Sequence, residues 1–232
     1  ILVDPGCATS ALASLAEHQQ ALHAILITHH HYDHVDGIAE LKAAFPNTLV
    51  YAPKHANIQK VDHFVEDNET ITFDDFSLQL TTFAVPGHTL DHVAYYSDVI
   101  GLFCGDTLFS AGCGRMFEGL PPVFKQSLDR LSSLPGDTRV YCTHEYTESN
   151  LGFALHIEPH NQAIHDHLDW VKRQRSQQQP SLPSNIKTER KINPFLRCHV
   201  KEVQARANQL SGHKSDDIID IFAQLRHLKD KF

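Results

Sequence analysis

Residues 24–37, AILITHHHYDHVDG, restrict the fold more than any other stretch. AILIT is short, nearly all apolar and bounded by polar sequence, the pattern of a strand covered on both faces in a layered α/β protein. HHHYDHVD then packs four histidines and two aspartates into eight residues. Asp36 is expected to cap a helix over GIAELKAAF that stops before Pro46. A strand, a loop rich in imidazole and carboxylate, and a helix in that order place the polar side chains at one rim of a sheet. In extended geometry His29 and His31 project to one side and His30 to the other, and Asp33 and His34 follow as the chain turns. The H-x-H-x-D-H spacing thus offers two imidazoles to one cation and a carboxylate plus an imidazole to a second.

Strand and helix signals alternate around this segment. ILVD reads as a strand ended by Pro5-Gly6, Ser10–Gln20 as a helix with Leu12, Leu15 and Ala16 on one face, and TLVYA (48–52) as a strand. DDFSLQLTTF alternates Phe76, Leu78 and Leu80 with polar residues, the period of a half-buried strand. HVAYYS, VIGLFC and TRVYCT continue as strands, and PPVFKQSLDRLSSL is a helix entered through prolines. Beyond about residue 147 the strand signal fades. Helices are expected over 147–157 and 161–175, then the polar connector QRSQQQPSLPS, and an amphipathic helix in DDIIDIFAQLRHLKDKF. The expectation is two sheets packed face to face with helices outside, spanning 1–149, and a mostly helical domain over 150–232.

Composition narrows the function. The 232 residues carry a formal net charge of −8 and no long basic run, which argues against a nucleic-acid partner. No apolar run approaches the ~20 residues of a membrane span, and no signal pattern opens the chain, so a cytoplasmic location is expected. Five cysteines at irregular spacing, without CxxC, suit a reducing compartment rather than a disulfide frame.

Candidate ligands recur at other strand ends. VPGHT sets His88 on a Pro-Gly turn, LFCGDTLF sets Asp106 just past an apolar strand, and YCTHEY sets His144 past another. His88 and Asp106 alone read as ordinary turn residues; scattered surface histidines have no reason to gather at strand ends, whereas a metal site at one rim of a sandwich does. Imidazole and carboxylate donors without thiolate differ from a closed structural zinc site, and they suit Zn²⁺, Fe and Mn²⁺ alike.

THHHYDHVDG, PGHT, GDTLF and HEYT resemble the metallo-β-lactamase-fold hydrolases. CGDTLFSAGCGRMFEG, HEYTESNLGFA and NPFLR make the finer likeness one to the glyoxalase II, or hydroxyacylglutathione hydrolase, family, over essentially the whole chain. The resemblance implies an αββα sandwich with a C-terminal mostly helical domain. It implies one metal on His29, His31 and His88, a second on Asp33, His34 and His144, and Asp106 bridging both, with Asp33 and Asp106 as catalytic carboxylates. Two divalent ions are expected, zinc first, with iron or manganese as substitutes. The implied reaction is hydrolysis of S-D-lactoylglutathione to glutathione and D-lactate by a monomer. Arg115, Tyr146, Arg226 and Lys229 are the implied contacts to the anionic substrate. A mononuclear-iron persulfide dioxygenase of the same fold is the rival.

The chain departs from the family in places. Further strands normally precede ILVDPG, so an incomplete sheet edge is expected. Asp91 stands where Gly is common, and the expectation is that it faces solvent. Phe117 replaces a common Tyr and Arg115 a common Lys. His30 should point away from the metals, and His92 could support them. His156, His160, His165 and His167 are expected to be solvated or capping. Cys104 and Cys113 are expected to pack as small hydrophobes. On α-helical spacing, Ile218, Phe222, Leu225 and Lys229 share the face turned to the protein, with Arg226 on its flank.

Overall fold

The first three residues of AILIT become a strand, and Ala24 through Thr28 are no more than 1% exposed. In the computed structural model, which describes residues 1–232, this strand belongs to one of two compact units. The first unit comprises Ile1–Ala84 and Asp91–Ser97, the second Val85–Leu90 and Asp98–Phe232.

In the first unit β1 (Leu2–Val3), β2 (Ala24–Leu26), β3 (Leu49–Ala52) and β4 (His63–Phe64) form a parallel sheet in that order. Helices α1 (Ala8–Glu17), α2 (Tyr32–Val35) and α3 (Ile38–Ala44) connect these strands. Leu15, Ile25, Ile27, Ile38, Leu41 and Val50 make one core. Burying such side chains stabilises by roughly 1.5–3 kcal/mol each, which holds the end of β2 firmly where the histidines begin. An antiparallel meander follows: β5 (Thr70–Phe73), β6 (Leu78–Ala84) and β7 (Val93–Ser97). Tyr95 of β7, wholly buried, donates its hydroxyl proton to the Ile27 carbonyl at 2.8 Å.

Two local expectations need correction. Asp36 does not cap a helix start; it ends α2, its N–H bonding to the Tyr32 carbonyl, and Gly37 begins α3. The metal-motif loop therefore contains a helical turn that carries Asp33 and His34. Phe76 is not an inward strand residue. It lies in a 3₁₀ turn, Asp74–Phe76, is 47% exposed, and its ring meets His23 edge-on. The period-2 pattern holds only from Leu78.

The second unit holds β8 (Gly101–Gly105), the hairpin β9 (Leu108–Phe109) and β10 (Gly112–Cys113), α4 (Pro121–Ser132) and β11 (Arg139–Cys142), which is parallel to β8. Its remaining elements are α5 (Thr147–Ile157), α6 (Gln162–Ser176), β12 (Ser184–Asn185) antiparallel to β11, α7 (Ile186–Ile192), α8 (Lys201–Ser211) and α9 (Ile218–Lys231). Pro121 and Pro122 open α4, where their missing N–H groups cost nothing. Asp217 caps α9 by accepting from the Ile219 and Asp220 N–H groups. Leu151, Ala154, Ile164, Val171 and Ile192 form one core cluster. Phe222 of α9 meets Phe124 and Phe195 edge-on. No helix is long and apolar enough to cross a membrane.

Candidate metal centre

Asp4, the aspartate of ILVDPG, organises the ligands of the first unit. Its φ of 49° is a left-handed conformation that Asp tolerates better than most residues. Its Oδ1 accepts from the Thr28 N–H and its Oδ2 from the Thr28 hydroxyl, both at 2.7 Å, and Oδ2 also meets His34 Nδ1 at 3.0 Å. Because the Thr28 hydroxyl spends its proton on Asp4, it accepts from His29 Nδ1 at 3.0 Å. Both His29 and His34 therefore carry their proton on Nδ1, leaving Nε2 as the donor atom for a cation. His29 Nε2 and His31 Nδ1 lie 3.1 Å apart, and His34 Nε2 lies 3.8 Å from Asp33 Oδ2. His29 and His34 are fully buried, whereas the Asp33 side chain is 40% exposed. His92 stacks on His29 with ring centroids 4.6 Å apart.

In the second unit His88 follows Gly87, where an added Cβ would fall 2.2 Å from the Phe124 ring. His88 Nδ1 lies 2.8 Å from the Arg115 carbonyl. A carbonyl only accepts, so Nδ1 holds the proton and Nε2 keeps a lone pair free for a cation. That Nε2 is 3.5 Å from Asp106 Oδ2, while His144 Nε2 is 3.4 Å from Asp106 Oδ1. Each oxygen of one carboxylate thus faces a different imidazole. The separations exceed an ordinary hydrogen bond but match roughly 3.4 Å, the spacing of two donors held tetrahedrally at about 2.1 Å from one ion. Gly114 of GCGR passes directly beneath: a Cβ there would fall 2.0 Å from the Asp106 carbonyl and 3.0 Å from His88 Nδ1. Imidazole and carboxylate donors with second partners already assigned fit divalent cations in both units.

The four expected substrate contacts all lie in the second unit. Tyr146 is exposed and stacks on His144 at 4.9 Å. Arg115 is exposed, its Nε 3.6 Å from Asp230. Lys229 is half-buried over the Phe153 and Phe232 rings, and burial, helped by the charge of Arg226, pulls its pKa down. Arg226 is deeper than the helical projection suggests, only 5% exposed. It donates to the Cys113 and Gly114 carbonyls at 2.9 and 3.3 Å and pairs with Asp230. Its guanidinium thus braces the GCGR loop that carries Arg115. Phe117, 60% exposed, sets its ring edge-on to His88.

Two positioning carboxylates escape a reading of the sequence. Glu189, fully buried in α7, accepts from the Ser110 hydroxyl at 2.9 Å, the Ala111 N–H at 2.8 Å and the Ser184 hydroxyl, with Asn193 Nδ2 at 3.3 Å. Burial pushes its pKa up even against these bonds. It anchors the β9–β10 hairpin that follows Asp106. Glu145 of HEYT accepts from Ser181 and Thr147; burial pushes its pKa up, and these bonds outweigh that and lower it. Among the other histidines, His165 bonds the Pro159 carbonyl, and His167 stacks on Trp170, where burial lowers its pKa. Cys104 and Cys113 are buried with raised pKa, Cys113 to about 11, because burial penalises the thiolate. Asp91 faces inward rather than toward solvent, its side chain 7% exposed and bonded to His30.

Comparison with known proteins agrees with this architecture. Residues 1–144 match the metallo-beta-lactamase superfamily and residues 145–232 the hydroxyacylglutathione hydrolase C-terminus. The whole chain is 46% identical to a hydroxyacylglutathione hydrolase of Edwardsiella ictaluri, covering 90% of it. It is 46% identical to that of Pseudomonas fluorescens, covering 89%. Among solved structures, ETHE1 from Myxococcus xanthus superposes with a TM-score of 0.63 at 21% identity, over 98% of this chain and 88% of that one. The BLEG-1 B3 metallo-beta-lactamase gives 0.62 at 22%, over 84% and 88%. At such identities these two establish the fold alone, a mixed α/β metallo-β-lactamase fold with a helical C-terminal region, whereas the full-length relatives go further. With its motifs, its donor set and both family models in register, this chain belongs to the hydroxyacylglutathione hydrolases of the metallo-β-lactamase superfamily.

Proposed function

We propose that the chain hydrolyses glutathione thioesters, S-D-lactoylglutathione to glutathione and D-lactate, at a centre holding two divalent cations. In this reading His29, His31 and His88 would hold one ion, Asp33, His34 and His144 the other, and Asp106 would serve both. The observation that supports it most is the Asp106 carboxylate, with one oxygen 3.5 Å from His88 Nε2 and the other 3.4 Å from His144 Nε2. When bound, two such cations supply Lewis acidity and lower the pKa of coordinated water from ~15.7 toward ~7. Asp4 and Thr28 hold His29 and His34 in the ligating tautomer. Asp33, partly open to solvent, orients the attacking water. No serine or cysteine nucleophile is required. Zinc is the proposed metal, the cytoplasm the proposed location, a monomer the proposed state, and 150–232 the substrate-binding domain.

Arg115, Tyr146 and Lys229 are the proposed contacts to the glutathione moiety, with Arg226 holding the loop that carries Arg115. A half-buried ammonium meets a carboxylate with less solvent screening than an exposed one. Lys229→Ala should therefore raise KM about tenfold, roughly 1.4 kcal/mol of lost ground-state binding, with kcat nearly unchanged. Steady-state kinetics on S-D-lactoylglutathione check the split; a fall in kcat at constant KM would contradict it.

The reading is tested by a thioester-hydrolysis assay with metal analysis of the same sample. Turnover with about two metal ions per chain, lost on chelation and restored by Zn²⁺, is the expected result. One iron per chain with oxygen uptake would instead identify a persulfide dioxygenase.

A further inference from the structure

We propose that His30, His55 and Asp91 form an additional metal site, for a single divalent cation such as Zn²⁺, separate from the ligand set above. One ligand atom from each lies within 4.8 Å of the others. The His30 and Asp91 side chains are 10% and 7% exposed, and His30 Nδ1 meets Asp91 Oδ1 at 2.9 Å. Asp91 Oδ2 is buried with no hydrogen-bond partner. A buried carboxylate oxygen left in that condition is costly, and a cation is the partner that satisfies it best.

Sequence geometry separates this cluster from the motif ligands. His30 projects from the opposite side of the extended segment from His29 and His31. Its ring stacks on His55 with centroids 3.8 Å apart and planes at 16°. Imidazole lone pairs lie in the ring plane, so coordination needs the His55 ring to turn until the two planes converge, bringing donors that already lie within 4.8 Å of one another to the spacing of about 3.4 Å that one ion sets. His55 lies in the connection between β3 and β4, between exposed Lys54 and Ala56, and its turn gives up only the 3.2 Å bond that its Nδ1 accepts from the Asn57 N–H. Two imidazoles and one carboxylate are borderline donors and suit Zn²⁺ over Mg²⁺ or Ca²⁺. Filling the site would tie the β3–β4 connection to the motif segment.

Crystals of the full chain soaked in Zn²⁺ and measured on both sides of the zinc absorption edge test this directly. The wild type should show an anomalous peak among His30, His55 and Asp91 that is absent from Asp91→Gly and His55→Ala. In solution, equilibrium dialysis against Zn²⁺ should count one ion fewer in either variant. A wild-type crystal without that peak, or equal counts in all three proteins, overturns the site. Peaks at His29, His31, Asp33, His34, His88, Asp106 and His144 are read separately in the same maps, so this proposal and the dinuclear one stand or fall independently.

Discussion

Asp106→Ala should lower kcat/KM at least about a thousandfold, some 4 kcal/mol of transition-state stabilisation, and take the metal content below one ion per chain. The side chain sits between His88 and His144 with an oxygen toward each, and it supplies one of the two negative charges that the proposed ligand set sets against four positive ones. Under that ligand set its loss would remove a donor from each ion and leave their mutual repulsion less offset. Asp106→Asn separates the causes, because it keeps an oxygen donor but not the charge, and should fall between the alanine variant and the wild type. Metal analysis and rates on the same preparations check the order. Full activity with full metal in the alanine variant would remove Asp106 from the bridge.

The second large effect lies where no metal is touched. Glu189→Ala strips the acceptor from Ser110, Ala111, Ser184 and Asn193 inside a fully buried pocket. Unsatisfied buried donors cost about 1–3 kcal/mol each and do not add fully, so a loss of about 4 kcal/mol is expected. For a chain of this size that lowers Tm by roughly 8–16 °C, measurable by calorimetry. Metal affinity should fall as well, since the β9–β10 hairpin that Glu189 pins begins two residues after Asp106. The pH dependence has a definite sign. The folded-state pKa of Glu189 is raised, so the stability tied to its protonation is full below the ordinary glutamate value and fades as pH climbs through the raised one. Glu189→Gln, which cannot ionise, should therefore compare least favourably with the wild type in acid.

The residues that were legible and those that were not differ in the distance over which they act. His29, His31, Asp33, His34, His88, Asp106 and His144 announce themselves because strand ends are short-range features and imidazole is a rare residue to find repeatedly at them. The helix over 218–231 is legible from the helical spacing of Ile218, Phe222 and Leu225. Asp4 was not: beside Pro5-Gly6 it reads as a turn residue, and its partners Thr28 and His34 are 24 and 30 residues away. Glu189 in IKTERKI looks like any solvated helical glutamate, and its partner Ser110 is 79 residues distant. Asp91 is hidden for the same reason, its burial depending on His30, 61 residues earlier. Asp36 failed differently, because a helical turn over Tyr32–Val35 competes locally with the cap it resembles.

The sulfur atoms of this chain carry a last implication. Burial holds Cys104 well above the ordinary thiol range, Cys113 at about 11, and Cys142 and Cys198 at about 12. At neutral pH fewer than one in a thousand of the last three is ionised, and only the ionised form attacks an acyl–sulfur bond or a disulfide. An enzyme that acts on an activated acyl–sulfur bond thus keeps its own interior thiols from taking the acyl group in place of water. The exception is Cys7, exposed at the start of α1, where the Ser10 and Thr9 N–H groups lower its pKa. Whatever electrophile this protein meets, that is the sulfur it will reach first.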